Sequence, residues 1–128
     1  MIAALLLFAA APTAEEDCGD LPQQPMNLCT HRNFERADAA LNAQWKITVE
    51  RLRQFDRDLD RTHDKQPGYF VTARAAQRAW ITYRDQHCLG ESFGARGGSL
   101  SPTLNSGCKI RLTRERTQQL KDLVEIEN

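Results

Sequence analysis

Four cysteines, three histidines and two tryptophans are the side chains of this 128-residue sequence best suited to chemistry or recognition. The cysteines stand at Cys18, Cys29, Cys88 and Cys108, with 10, 58 and 19 residues between them. Structural zinc sites draw on close pairs such as C-x2-C, and no two of these cysteines are placed that way. An even count at these spacings reads instead as a disulfide framework with three possible pairings. His87 beside Cys88 suggests a Cys–His nucleophile. Adjacent helical residues point apart, however, and an oxidising compartment favours the disulfide. His31 and His63 lie among polar residues and read as solvated. Gly97-Gly98 follows no strand, so it does not read as a phosphate loop. No metal cluster or Ser/His/Asp set appears, so the sequence predicts no cofactor, no metal and no enzyme.

The elements that position these residues read as helices. Between Met26 and Leu59 there is no Pro or Gly. Phe34, Leu41, Trp45, Thr48, Leu52, Phe55 and Leu59 recur at three- and four-residue steps, the period of a helix with one buried stripe. Asp38 fills the one empty place. A helix of some 30 residues would be roughly 45 Å long, more than a small three-helix domain needs, so its C-terminal half is expected to project or bend. Residues 60–69 contain Pro67-Gly68 and read as a turn. A second helix is predicted over about Val71 to Cys88, with Val71, Ala75, Ala76, Ala79, Trp80 and Tyr83 on its apolar side. Residues 89–107 hold five of the seven glycines and read as a long loop of the kind that is either functional or covalently tied. A third helix is predicted from about Cys108 to Glu125, with Leu112, Arg116, Leu120 and Leu123 in register. No segment alternates as a strand does. The expected fold is all-α, a three-helix antiparallel bundle with a long first helix.

Up-down-up packing brings the start of the first helix, the end of the second and the start of the third to one end, where all four cysteines can meet. Cys18–Cys29 and Cys88–Cys108 are the preferred pairs because each closes a short segment. Such a closure is worth roughly 3 kcal/mol. Asp38, on the buried stripe, needs a partner, since a lone buried charge costs several kcal/mol. Arg84 lies opposite it in an antiparallel hairpin, and the two read as a structural ion pair. Asn42, one turn on, is expected to bond across the hairpin. Trp45, Trp80 and Tyr83 fall on apolar stripes and read as core; exposed rings would instead suggest a carbohydrate-stacking platform.

Residues 1–14 resemble a signal peptide that is removed, leaving residues 15–128 as a single helical domain. The ten apolar residues Ile2 to Ala11 are too few to span a bilayer, where roughly 20 are needed. No lysine or arginine follows Met1, and Pro12 fits an ideal cleavage site poorly. Glu15-Glu16-Asp17 precedes Cys18 where a lipoprotein requires small and apolar residues, so no membrane anchor is expected after cleavage. Lys and Arg total 17 against 17 Asp and Glu, a balance that argues against nucleic acid as a partner.

Met26-Asn27-Leu28-Cys29, Ala37-Asp38 with Leu41-Asn42, Gln77-Arg78-Ala79-Trp80, Tyr83-Arg84-Asp85 with Cys88, Gly97-Gly98-Ser99, and Cys108 followed by Thr113…Arg116…Leu120 appear in this order. Together they resemble the LprI-like lysozyme-inhibitor domain over about residues 18–123. The resemblance implies an exported bacterial protein, periplasmic or secreted, that is helical and disulfide-bonded. It also implies lysozyme as a partner. On that reading the loop 89–107 is the candidate binding surface, with Arg96, Gly97, Gly98 and Ser99 at its centre. Lysozyme keeps one of its two cleft carboxylates ionised, and Arg96 presented by flexible glycines would occupy that cleft. The alternative function is an adaptor or structural protein of the cell envelope with another partner.

Overall fold

Polar and apolar residues alternate along this chain with helical period, and among the described residues three α-helices result. The computed structural model describes residues 14–125; the proposed signal peptide falls, but for Ala14, outside the described residues. Helix α1 runs over Gln23–Asp58, α2 over Tyr69–Ser92 and α3 over Ser101–Asp122. A single 3-10 turn, Phe93–Ala95, follows α2. Pro25 sits in the first turn of α1, where backbone N–H groups have no intrahelical acceptor and the missing donor costs nothing.

The turn at Pro67-Gly68 is held from α1. The Asp56 carboxylate accepts hydrogen bonds from the backbone N–H groups of Tyr69 (2.7 Å) and Phe70 (3.0 Å), capping α2 from the neighbouring helix. A Cβ at Gly68 would meet Asp56 Oδ1 at 3.0 Å, so glycine is what lets the cap approach.

Between α2 and α3 the connection is shorter than the glycine content predicts. Helix α2 continues past Cys88 through Gly90 to Ser92, and α3 begins at Ser101, leaving Arg96–Leu100 as the loop. A helical glycine costs about 1 kcal/mol relative to alanine. The Cys88–Cys108 disulfide and the Glu91–Arg111 ion pair across this end oppose that cost at Gly90 and Gly107. Pro102 occupies the first turn of α3 and starts the helix instead of breaking it.

Helix directions follow from the pairs that touch. Asn27 bonds Thr103 and Thr48 bonds Leu120, so α1 and α3 run parallel. Cys88–Cys108 and Gln77–Arg116 set α2 antiparallel to α3. Thr48 stands level with Leu120, near the end of α3. The last turns of α1 and the first of α2 therefore continue beyond α3 as a two-helix spur.

Along α1 the expected stripe is the inner face. Leu41, Thr48 and Leu52 are buried, and Phe34, Asp38, Trp45, Phe55 and Leu59 are half-buried. Helix α2 is rotated from the expected orientation. Val71, Ala75, Ala76, Ala79 and Tyr83 are exposed, while Ala73, Gln77, Arg84, Cys88 and Ser92 face inward. The disulfide at Cys88 and the polar groups aligned with it choose that face, overriding apolar periodicity. On α3, Leu120 is buried and Leu123 exposed.

The core is consequently thin. Among the described residues nine apolar side chains, including all four cysteines, are buried against seven polar or charged ones. The Thr48 hydroxyl donates to the Leu120 carbonyl at 3.0 Å, and Arg116 Nε donates to Gln77 Oε1 at 2.9 Å. Polar bonds therefore do part of the work that apolar contact does in a larger domain. The disulfides are Cys18–Cys29 and Cys88–Cys108, with Cα separations of 5.8 and 5.4 Å. Both lie at the end where α1 begins and α2 stops. With so little apolar burial, replacing Cys88 and Cys108 together by alanine is expected to lower the unfolding free energy by about 3 kcal/mol, measured by urea denaturation against the unchanged chain.

Candidate functional site

The three helices meet on Arg84. Only 7% exposed, its guanidinium donates from Nη1 to Asp38 Oδ1 at 3.0 Å and to the Thr113 hydroxyl at 3.3 Å. Its Nε donates to Asp85 Oδ1 at 3.0 Å. The guanidinium carbon lies 5.1 Å from the ring centroids of both Phe34 and Trp80. Lys109 Nζ reaches the same Phe34 ring at 5.2 Å and Asp85 at 3.9 Å. Side chains from α1, α2 and α3 thus replace the water that a buried cation loses.

The sequence reading placed the buried charge on Asp38. The buried member is Arg84; the Asp38 side chain is 36% exposed. Arginine suits the interior because its plane accepts ring faces while its edge donates to carboxylates. Asn42 does not cross the hairpin. Its amide lies 3.5 Å from Asp38 on the same helix, and the residue is exposed. Tyr83 is not core either: 55% exposed, it stacks on His87 at 5.2 Å between ring centroids.

His87 Nε2 lies 3.1 Å from Glu91 Oε1, and these two gather with Cys108 as a possible metal-ligand set. Cys108 is held in a disulfide, and Arg111 already donates to Glu91 at 2.8 Å. That hydrogen bond, with a lesser one from His87, holds the Glu91 carboxyl below its ordinary value. The set retains His87 and a neutralised carboxylate, which suits an ion-pair chain better than a metal. All four cysteines are oxidised, so none is a nucleophile.

The loop Arg96–Leu100 lies at the disulfide end. Arg96 rests its guanidinium on the Phe93 ring at 4.5 Å, and no carboxylate pairs with it among the described residues. Gly97 has φ +79, a conformation in which any Cβ is strained. Gly98 donates its backbone N–H to Ala95 at 2.8 Å. The Ser99 carbonyl accepts from the Asn27 amide at 2.9 Å, and Asn27 Oδ1 accepts from Gln23 (2.7 Å) and from Thr103 (2.6 Å). The loop is therefore pinned to α1 and presents Arg96 from a fixed turn. Leu21, Leu28, Leu89, Phe93 and Leu100 stand exposed at the same end.

A second polar cluster ties residues 15–18 to α1 and α3. Glu16 accepts a bidentate pair of bonds from Arg32 (2.8 and 2.9 Å) and a third from Arg36 (2.7 Å). Its backbone exchanges bonds with the Asn33 side chain at 2.9 and 2.8 Å, and Glu15 pairs with Arg114. The arginine bonds, Arg32 first, lower the Glu16 carboxyl to about 2. Adjacent acids preceding a helix that carries Arg32 and Arg36 one turn apart were the available signal.

Fold and site together define a disulfide-stapled three-helix domain whose charged groups lock its helices and its N-terminal strap in place. The chain belongs to the family of lysozyme inhibitor LprI, whose family model matches residues 15–120. It is also similar to an uncharacterised protein of Rhizobium meliloti (strain 1021), 40% identical over 126 residues, covering 94% of this chain and 91% of that one. No solved structure matches it.

Two outcomes follow from the geometry. In a double-mutant cycle by urea unfolding, Arg84→Ala should cost about 2–3 kcal/mol, since it removes a cation packed on two rings. Asp38→Ala should cost about 1 kcal/mol, with a coupling of about 1 kcal/mol appropriate to a part-exposed partner. Glu16 supplies the pH dependence. A folded-state carboxyl held below its unfolded value of 4.5 stabilises above that pH, and its contribution disappears as pH falls through about 2. The protection factor of the Glu16 amide, its exchange relative to an unstructured peptide at the same pH, should accordingly be high at neutral pH and fall as pH drops from 4.5 towards 2. Glu16→Gln should show the low protection throughout.

Proposed function

We propose that this chain is an exported inhibitor of lysozyme-type muramidases, acting with the disulfide end of its bundle. Family membership over residues 15–120 carries the reading. The two disulfides support action outside the cytoplasm, in the periplasm or the secreted fraction. Among the described residues no helix is long and apolar enough to cross a membrane.

The inhibitory surface is the turn around Arg96, Gly97, Gly98 and Ser99, with the exposed side chains of Leu28, Phe93 and Leu100 beside it. A muramidase cleft carries two catalytic carboxylates, one of which stays ionised. Arg96 is a cation with no carboxylate of its own among the described residues, held against an aromatic ring and backed by a turn that α1 braces. Bracing lowers the entropy lost on docking, and apolar neighbours around a central arginine match the make-up of interface hot spots.

Clearing of a lysozyme-treated cell-wall suspension tests this directly. The unchanged chain should slow clearing. Arg96→Ala should weaken inhibition by roughly thirtyfold, corresponding to a hot-spot loss of about 2 kcal/mol, with unfolding unaffected. Full inhibition by Arg96→Ala would move the surface elsewhere on the domain. Absence of slowing with several lysozyme types would favour the adaptor or structural role.

A further inference from the structure

Between α1 and α2, running from the three-helix body out towards the spur, lies a groove of about 360 Å³. Trp45 and Arg53 line it from α1, and Phe70, Arg74, Arg78 and Ile81 line it from α2. The spacing is helical on both sides, so each set forms one continuous stripe. No acidic residue lines this groove. Among the described residues none of the three arginines has a carboxylate within ion-pairing distance, although the chain as a whole is neutral. Arg53 and Arg74 instead lie over the Phe70 ring, at 4.5 and 5.3 Å from its centroid. One ring therefore gathers two like charges from two helices. Such an arrangement persists against repulsion because the ring face attracts both.

We propose that this groove is a binding site for an acidic oligosaccharide, distinct from the Arg96 surface and independent of the muramidase reading. Three unneutralised guanidiniums with no opposing acid complement a polyanion, and arginine is the side chain matched to carboxylate geometry. Arg74 and Arg78 stand one helical turn apart, roughly 5.4 Å, a spacing on the order of the repeat of a linear glycan. Trp45 lines the groove and is half-buried, so its indole is partly packed and partly accessible. A held aromatic face of this kind stacks on the apolar face of a sugar ring. A polyanion with no such face would use the arginines and leave Trp45 idle. The ligand class is thus a carboxylate-bearing sugar chain lying along the groove.

Tetragalacturonate is a suitable probe, with its methyl ester as a neutral counterpart of the same shape and tripolyphosphate as charge without a sugar. In a Trp80→Phe background, where Trp45 is the sole tryptophan, tetragalacturonate should change the fluorescence and bind saturably. The methyl ester and tripolyphosphate should bind at least tenfold more weakly. Replacing Arg53, Arg74 and Arg78 together by glutamine should weaken tetragalacturonate binding at least tenfold while circular dichroism stays unchanged. Replacing Arg51, Arg57 and Arg61, which lie on the same spur but do not line the groove, removes the same charge and should leave binding intact. Equal loss in the two triple variants would reduce the effect to diffuse charge and overturn the site. Tripolyphosphate binding as tight as tetragalacturonate, or ester binding as tight as acid, would overturn the ligand class. Binding without a Trp45 response, or no binding at all, would overturn the proposal as a whole.

Discussion

A guanidinium leaves water only where carboxylates and ring faces replace what it loses, and the middle of this bundle is arranged around that requirement. Arg84 takes Asp38 and Phe34 from α1, Asp85 and Trp80 from its own helix, and Thr113 from α3. The contacts to Asp38, Phe34 and Thr113 do not survive a rotation of α2 against its neighbours. A core in which nine apolar residues are buried among the described residues, four of them cysteines, has little capacity to specify register by shape alone. The directional bonds at Arg84 supply that specification. They also explain why α2 turns Ala75, Ala76, Ala79 and Tyr83 outward: the helix is oriented by its arginine and its cysteine.

The two ends of the domain are stabilised by different means. At one, Cys18–Cys29, Cys88–Cys108 and the Asn27–Ser99 bond bind the strap, the helix ends and the loop into one unit. Cross-links there do most where burial is least, since they restrict the unfolded chain. At the other end α1 and α2 run on without α3, joined through Asp56 and the Phe55–Tyr69 ring contact. A rigid end presenting a turn and a groove running out towards the two-helix end give one small domain two dissimilar surfaces.

Much of this was legible along the chain. The stripe of α1 could be read because apolar side chains on one face of a long helix repeat with the helix period, and Leu41, Thr48 and Leu52 do so. Coinciding helix ends brought all four cysteines together, and preferring the closures that span short segments selected the pairs observed. The loop length was misjudged because glycine and proline are ambiguous. Gly90 and Gly107 are tolerated inside helices that other bonds hold, and Pro102 begins a helix as readily as it ends one. The inner face of α2 was misjudged because Gln77, Arg84 and Ser92 read as solvent-facing until their partners on other helices are known.

Local chemistry therefore determined the three helices, their order and the end at which the disulfides gather, because helical period, turn residues and cysteine spacing act within or between short segments. Tertiary structure alone decided the rest. The strap of Glu15 and Glu16 on Arg32, Arg36 and Arg114, the anchoring of Ser99 on Asn27 and the meeting of Arg53 with Arg74 over Phe70 each join residues from separate segments. Their energies depend on distance and on water excluded by neighbouring helices, and neither exists until the helices have packed.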